Sequence, residues 1–179
     1  VHVFSPTSDI QIAHTIKMSH DEIVAGAMEA VELVKDHGRT CLFSAMDATR
    51  TSPQFLHRIF KAVEEVHCDI INIPDTVGVA APSAFYRFVK DICDDVNMVV
   101  DVHCHNDFGL AVANSLSAVE AGAREVQVCV NGLGERAGNA NLAETVMSLH
   151  SIYGAKTSIK TEYLVETARM VERLTEVKI

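Results

Sequence analysis

The stretch VDVHCHNDFGLAVAN, residues 100–114, runs from an apolar, β-branched segment through two histidines spaced two apart and into a helical pattern. On a strand, residues i and i+2 project to the same side, so His103 and His105 point together while Cys104 faces the other way. Similar apolar runs occur at VHVF (1–4), TCLFSAM (40–46), DIINIP (69–74), NMVVDVHCH (97–105) and EVQVCVN (125–131). Taking His2, Phe43, Ile71, Val100 and Val128 as centres, the gaps are 41, 28, 29 and 28 residues, the spacing of a βα repeat. Helical patterns fill the gaps: 20–37 with Ser19 and Glu22 placed as a capping box, 53–66 opened by Ser52-Pro53, 82–95 opened by Pro82, and 109–122 ended by Gly122. Two more are expected near 140–151 and 162–176. Each strand run is nearly continuous in apolar residues, as in a sheet with helices on both faces, so the sheet is expected to be parallel.

Parallel βα units build either an open doubly wound sheet or a closed (β/α)8 barrel, and the polar residues separate the two. Every run ends in a polar cluster: Ser5, Thr7, Ser8 and Asp9 after the first, Ser44, Asp47, Thr49 and Arg50 after the second, Asp75-Thr76 after the third. His103, His105, Asn106 and Asp107 follow the fourth, and a stretch from Asn131 to Asn139 the fifth. Five successive strands sending polar groups to one end is the arrangement of a barrel active site, whereas an open sheet concentrates them at one switch point. The expected fold is therefore α/β, part of a TIM (β/α)8 barrel.

Composition narrows the partners. A formal net charge of −9 over 179 residues argues against nucleic acid and anionic membrane, which both need clustered cations. No apolar run approaches a membrane span, and no basic segment followed by a hydrophobic one opens the chain. The five cysteines (Cys41, Cys68, Cys93, Cys104, Cys129) form no CxxC pair and read as reduced cytoplasmic thiols.

Two imidazoles on one strand face are a natural chelate for a metal ion, although an isolated HxH serves equally well as two hydrogen-bonding core residues. About 30 residues on, NGLGERAGNANLAE (131–144) adds Gly132, Gly134 and Gly138, which permit sharp turns and close approach to a ligand, around the charged pair Glu135-Arg136. Alone this loop is an ordinary βα turn; joined to HCHND it becomes specific.

HCHNDFGLAVANSLSAVEAGA, NGLGERAGNA, DATRT (47–51) and IPDTVG (73–78) together resemble the acyl-CoA-condensing enzymes that include 2-isopropylmalate, citramalate and homocitrate synthases, within the metal-dependent TIM-barrel superfamily shared with hydroxymethylglutaryl-CoA lyase. The resemblance covers essentially all of residues 1–179. It implies the C-terminal part of a barrel domain, approximately strands four to eight, incomplete at both ends, because no DGEQ-type motif with its metal-ligating Asp precedes Val1. It also implies a divalent ion (Mg, Mn or Zn) on His103, His105 and Asn139, contacts to a 2-oxo acid from His2, Ser44 and Thr76, acetyl-CoA as co-substrate, and a cytoplasmic homodimer.

The family usually carries a Glu where this chain has Met46. A thioether takes no proton as a carboxylate does, so the acid/base role must lie elsewhere; Asp47 faces the other way if the strand persists, and Glu135 is the next candidate. The implied reaction is a Claisen condensation by an acyltransferase, with Asn131 at the head of NGLGERAGN favouring a 2-isopropylmalate synthase acting on 2-oxoisovalerate in leucine biosynthesis. Alternatives are a citramalate or homocitrate synthase, a carbon–carbon lyase on the same scaffold, and a non-catalytic fragment.

Overall fold

The computed structural model describes residues 1–178. Strands His2–Pro6 (β1), Leu42–Met46 (β2), Ile70–Asp75 (β3), Val99–Cys104 (β4) and Glu125–Gln127 (β5) form one sheet in chain order. Every neighbouring pair is parallel. The order never reverses, so the sheet has no switch point and is an arc of a barrel.

The helices are Asp9–Gln11 (α1), His20–Asp36 (α2), Pro53–Glu65 (α3), Pro82–Asp95 (α4), Ala111–Ala121 (α5), Leu142–Ser151 (α6) and Leu164–Thr175 (α7). Their starts follow from local chemistry. Ser19 and Glu22 form both halves of a capping box. Ser52 accepts the Phe55 amide, with Pro53 in the first turn, and the Asn141 side chain accepts the amides of Ala143 and Glu144. Gly122, at φ 122°, ends α5 in a conformation that costs glycine little. On α3, Phe55, Leu56, Ile59, Phe60 and Val63 form one buried stripe, the spacing of an amphipathic helix packed on a core. No described helix is long and apolar enough to cross a membrane.

Three features differ from the sequence reading. Helices cover one face of the sheet, not both. Phe43, Ala45, Ile71, Ile73, Val100 and Val102 pack into the core cluster shared with α2 to α5. Their neighbours Ser44, Asn72 and Asp101 alternate onto the inner face, where strand and loop residues alone line the cleft described below. Second, α1 and a π-helical turn at Ile12–Ile16 occupy the first loop, started by Ser8, whose side chain accepts the Gln11 amide. Third, β5 stops at Gln127 rather than running to Asn131. The returning chain wedges in beside it: Ala140 N–H donates to the Cys104 carbonyl, and Cys129 N–H donates to the Ala140 carbonyl, both at 3.0 Å.

Candidate functional site at the C-terminal ends of the strands

A cleft of about 310 Å³ opens on the inner face. Six of the seven candidate residues line it: His2, Ser44, Thr76, His103, His105 and Glu135. Asn139 is not on the wall but is joined to His105 by an antiparallel bridge. The HxH geometry holds, with the rings of His103 and His105 5.0 Å apart between centroids. Cys104 turns to the core and is fully buried, and burial pushes its thiol up to about 12.

The loops around the cleft are latched to one another. Arg136 donates from Nε and Nη2 to the two carboxylate oxygens of Asp107, each at 2.7 Å, and from Nη2 to the Thr76 carbonyl at 2.9 Å. This fork joins the HCHND and GERAGN motifs and accounts for Asp107; Asn106 Oδ1 accepts the Ala111 amide at the start of α5. Neither residue is left over for a metal. Gly78 fits beneath the fork, where a Cβ would stand 2.6 Å from Asp107 Oδ2. Thr76 Oγ1 accepts the Asp47 amide at 2.9 Å.

The strand does not persist at Asp47, which takes a left-handed backbone (φ 70°). Its fully buried carboxylate is taken by Arg50 and by the Ser8 hydroxyl, so it is not a base for the cleft. Met46, half-buried, lines the cleft beside Phe4 and Pro74. Glu135 is exposed, its carbonyl accepts the Gly138 amide at 2.9 Å, and its carboxylate makes no hydrogen bond or ion pair among the described residues.

Two buried polar atoms beside the histidine pair have no hydrogen-bond partner among the described residues: His105 Nδ1 and Asn139 Oδ1. The Asn139 amide nitrogen is held by the Cys129 sulfur at 3.1 Å and the Leu133 carbonyl at 3.2 Å, which leaves its carbonyl oxygen free to face a ligand. Gly134 packs so close that a Cβ would lie 2.4 Å from Asn139 Nδ2. A buried acceptor left unpaired costs about 1–3 kcal/mol, and two imidazole nitrogens with an amide oxygen are a donor set that fits a divalent cation. Among the described residues no three His, Cys, Asp or Glu side chains group to hold a metal, so a carboxylate ligand is not among the donors gathered here. Burial, then the charge of His103, lowers the pKa of both His2 and His105. Both shifts favour the neutral ring, the state in which imidazole has a lone pair to offer.

Three further polar residues were not singled out in the sequence, Asn72 and Gln127 on the wall of the cleft and Asp101 bonded to both. Asn72, Asp101 and Gln127 interrupt the apolar runs of β3, β4 and β5, and the pairing Ser44↔Asn72↔Asp101 puts them on the face of the histidines. Asn72 Nδ2 and Gln127 Nε2 both donate to Asp101 Oδ2, at 2.7 and 2.6 Å. Burial raises the Asp101 carboxyl to about 7 against the pull of the Asn72 hydrogen bond. The available signal was alternation: Asp101, His103 and His105 are three consecutive inward positions.

A parallel barrel arc with paired histidines and a glycine-rich loop at its C-terminal rim defines a class, and the chain belongs to the HMGL-like family, whose model matches residues 1–171. It is 64% identical to a probable 2-isopropylmalate synthase of Methanosarcina acetivorans and 62% identical to one of Archaeoglobus fulgidus, over all of this chain. It spans 35% and 36% of the length of those two curated relatives. In fold it is similar to an HMG-CoA lyase from Acinetobacter baumannii solved with coenzyme A and 3-methylmalate, with TM-score 0.84 and 23% identity, over 98% of this chain and 61% of that one.

Proposed function

We propose that this chain supplies the later strands, approximately four to eight, of the catalytic barrel of a 2-isopropylmalate synthase: a cytoplasmic, homodimeric acyltransferase that condenses acetyl-CoA with 2-oxoisovalerate in leucine biosynthesis. The observation that carries this reading is the convergence of His2, Ser44, Thr76, His103, His105 and Glu135 on one cleft of an HMGL-like barrel arc, with the Asn139 carbonyl unpaired beside it. The high identity to probable 2-isopropylmalate synthases supports the choice within the class, and the coenzyme A bound to the structural neighbour supports an acyl-CoA substrate.

His103, His105 and Asn139 would hold a divalent cation, which supplies Lewis-acid polarisation of the 2-oxo acid's ketone. The Thr76 hydroxyl would donate to the oxo acid's carboxylate, and His2 would contact the oxo acid beside it. Ser44 acts through His2, since its own proton is donated to Asn72 Oδ1 at 2.9 Å. The Glu135 carboxylate, unpaired on the rim, is assigned removal of a proton from the acetyl-CoA methyl group. Carbon–carbon bond formation then gives an acyl-CoA whose thioester is hydrolysed, releasing free CoA. The Asp107–Arg136 fork, which also reaches the Thr76 carbonyl, ties the backbone of Glu135's loop to the β3 and β4 loops at the rim of the cleft.

The test is CoA release by the intact protein with acetyl-CoA and each of 2-oxoisovalerate, pyruvate and 2-oxoglutarate, alongside cleavage of 3-hydroxy-3-methylglutaryl-CoA. Turnover fastest with 2-oxoisovalerate is expected; cleavage without condensation would make the protein a lyase. His103→Ala and His105→Ala should each abolish activity together with its divalent-ion dependence, and near-parental turnover in either would remove the chelate assignment.

A further inference from the structure

Six side chains from all five strands form one unbroken hydrogen-bonded line along the floor of the cleft. His2 Nε2 lies 2.6 Å from Ser44 Oγ, Ser44 Oγ donates to Asn72 Oδ1 at 2.9 Å, and Asn72 Nδ2 donates to Asp101 Oδ2 at 2.7 Å. From the other end, His103 Nδ1 lies 2.9 Å from Gln127 Oε1, and Gln127 Nε2 donates to the same Asp101 oxygen at 2.6 Å. Both arms therefore end on one atom.

We infer that Asp101 is a positioning residue that sets the tautomers of His2 and His103, and sets them oppositely. The argument is one of donors and acceptors. Asp101 Oδ2 accepts from both amides, so each must turn its nitrogen to Asp101 and its oxygen away. Gln127 Oε1 can only accept, so His103 must carry its proton on Nδ1, leaving the Nε2 lone pair free. Asn72 Oδ1 can only accept, so the single Ser44 proton goes to it, and Ser44 must accept from His2. His2 then carries its proton on Nε2 and leaves Nδ1 bare. These directions hold with Asp101 ionised, and equally with a proton on Oδ1, the oxygen without a partner among the described residues, since Oδ2 then keeps accepting. The consequence for the proposed function, on which this inference rests for its purpose though not for its geometry, is that His103 is fixed in the form that can ligate a cation. His2 is fixed in the form that can accept a proton or a donor from the ligand.

The inference predicts which substitutions reverse the line and which restore its His103 arm. Asp101→Asn is isosteric but can donate, so the amides of Asn72 and Gln127 can flip. Gln127 would then donate to His103 Nδ1 and force its proton onto Nε2, while the Ser44 proton would turn to His2 Nε2. Adding Gln127→Glu to Asp101→Asn exchanges the amide and the carboxylate. The new carboxylate can only accept, from His103 Nδ1 on one side and from the new amide nitrogen on the other, so the original His103 tautomer returns; because both arms end on one atom of residue 101, that nitrogen also donates to a flipped Asn72 and the His2 tautomer stays inverted.

The experiment uses the intact metal-free protein labelled with 15N-histidine, in which the protonated and bare nitrogens of neutral imidazole are resolved by their 15N shifts; His2→Gln and His103→Gln assign the two signals. Expected are protonated Nδ1 at His103 and protonated Nε2 at His2 in the parent, mixed or inverted tautomers in Asp101→Asn, and restoration at His103 but not at His2 in the double variant. Titration with Mn2+ alone should show about 10–100-fold weaker binding in Asp101→Asn, recovered in the double variant. A parent with protonated Nε2 at His103, or tautomers unmoved by Asp101→Asn, overturns the inference. Correct tautomers with no Mn2+ binding in the parent would leave the inference standing and count instead against the proposed metal site.

Discussion

At the scale of single residues, two glycines beside the cleft make separable predictions. Gly138 has φ +92°, and a Cβ there would lie 2.0 Å from the Gly132 carbonyl oxygen, a backbone atom that cannot step aside. Gly138→Ala is therefore expected to destabilise by about 2 kcal/mol or more, the left-handed penalty plus the clash, read as a lower urea midpoint. Gly134→Ala needs no left-handed backbone, but its Cβ would strike the Asn139 amide. It should leave the urea midpoint nearly unchanged and weaken Mn2+ binding about tenfold or more. Equal loss of stability in both variants would mean that Gly134 serves only the turn. The sequence marked these glycines as permissive turn residues but could not separate them, because which one faces backbone and which faces an amide is a property of the closed loop.

At the scale of elements, what could be read in the sequence was whatever a local rule decides. The helix starts at His20, Pro53 and Pro82 stand where the capping box and the prolines put them, and the 28-to-29-residue period returns as consecutive parallel neighbours. What escaped depends on neighbours far along the chain. The early end of β5 at Gln127 follows from the wedge of the returning chain at Ala140, further along the sequence, and the polar inner face was hidden because single polar residues such as Asn72 and Asp101 look like interruptions of a core strand. The same holds for a surface clamp between α3 and α4. His57 lies between Asp95 and Asp91, at 2.7 and 2.9 Å. Burial by itself would lower the His57 pKa, but hydrogen bonds to both carboxylates outweigh it and the net shift is upward. The hydrogen bond from His57 leads the causes that hold Asp95 down. A raised histidine contributes stability below its unfolded pKa and loses it as pH rises through the folded value; a lowered carboxylate contributes above its unfolded pKa and loses it as pH falls through the folded value. Both contributions are present between about pH 4 and 6.5. His57→Gln should thus cost most near pH 5.5 and little at pH 9, by under about 1 kcal/mol because the carboxylates are solvent-exposed. Urea midpoints of parent and variant at the two pH values provide the check, and a cost that grew toward pH 9 would refute the assignment.

At the scale of the whole molecule, five strands do not make a closed wall. Eight are needed before the inner face of such a barrel is filled and its edges are paired, and the chain spans about a third of the length of its curated relatives. Among the described residues the outer edge of β1 has no strand beside it. Phe4 on the inner side of that edge strand is 67% exposed, and an apolar hollow runs along β1 between Pro6 and α2. Two forces then compete. The net charge of −9 keeps copies apart over roughly a Debye length, about 8 Å at physiological salt. The unpaired edge and the uncovered apolar surface act at contact, where hydrogen bonding and burial of about 25 cal/mol per Å² take over. Raising salt removes the first force and leaves the second, so the isolated chain should run near 19.5 kDa only at low ionic strength. It should self-associate as salt is added. Light scattering coupled to gel filtration between 20 and about 500 mM salt measures this directly, and a stable monomer across the whole range would show that the arc closes its own edge without the remaining strands.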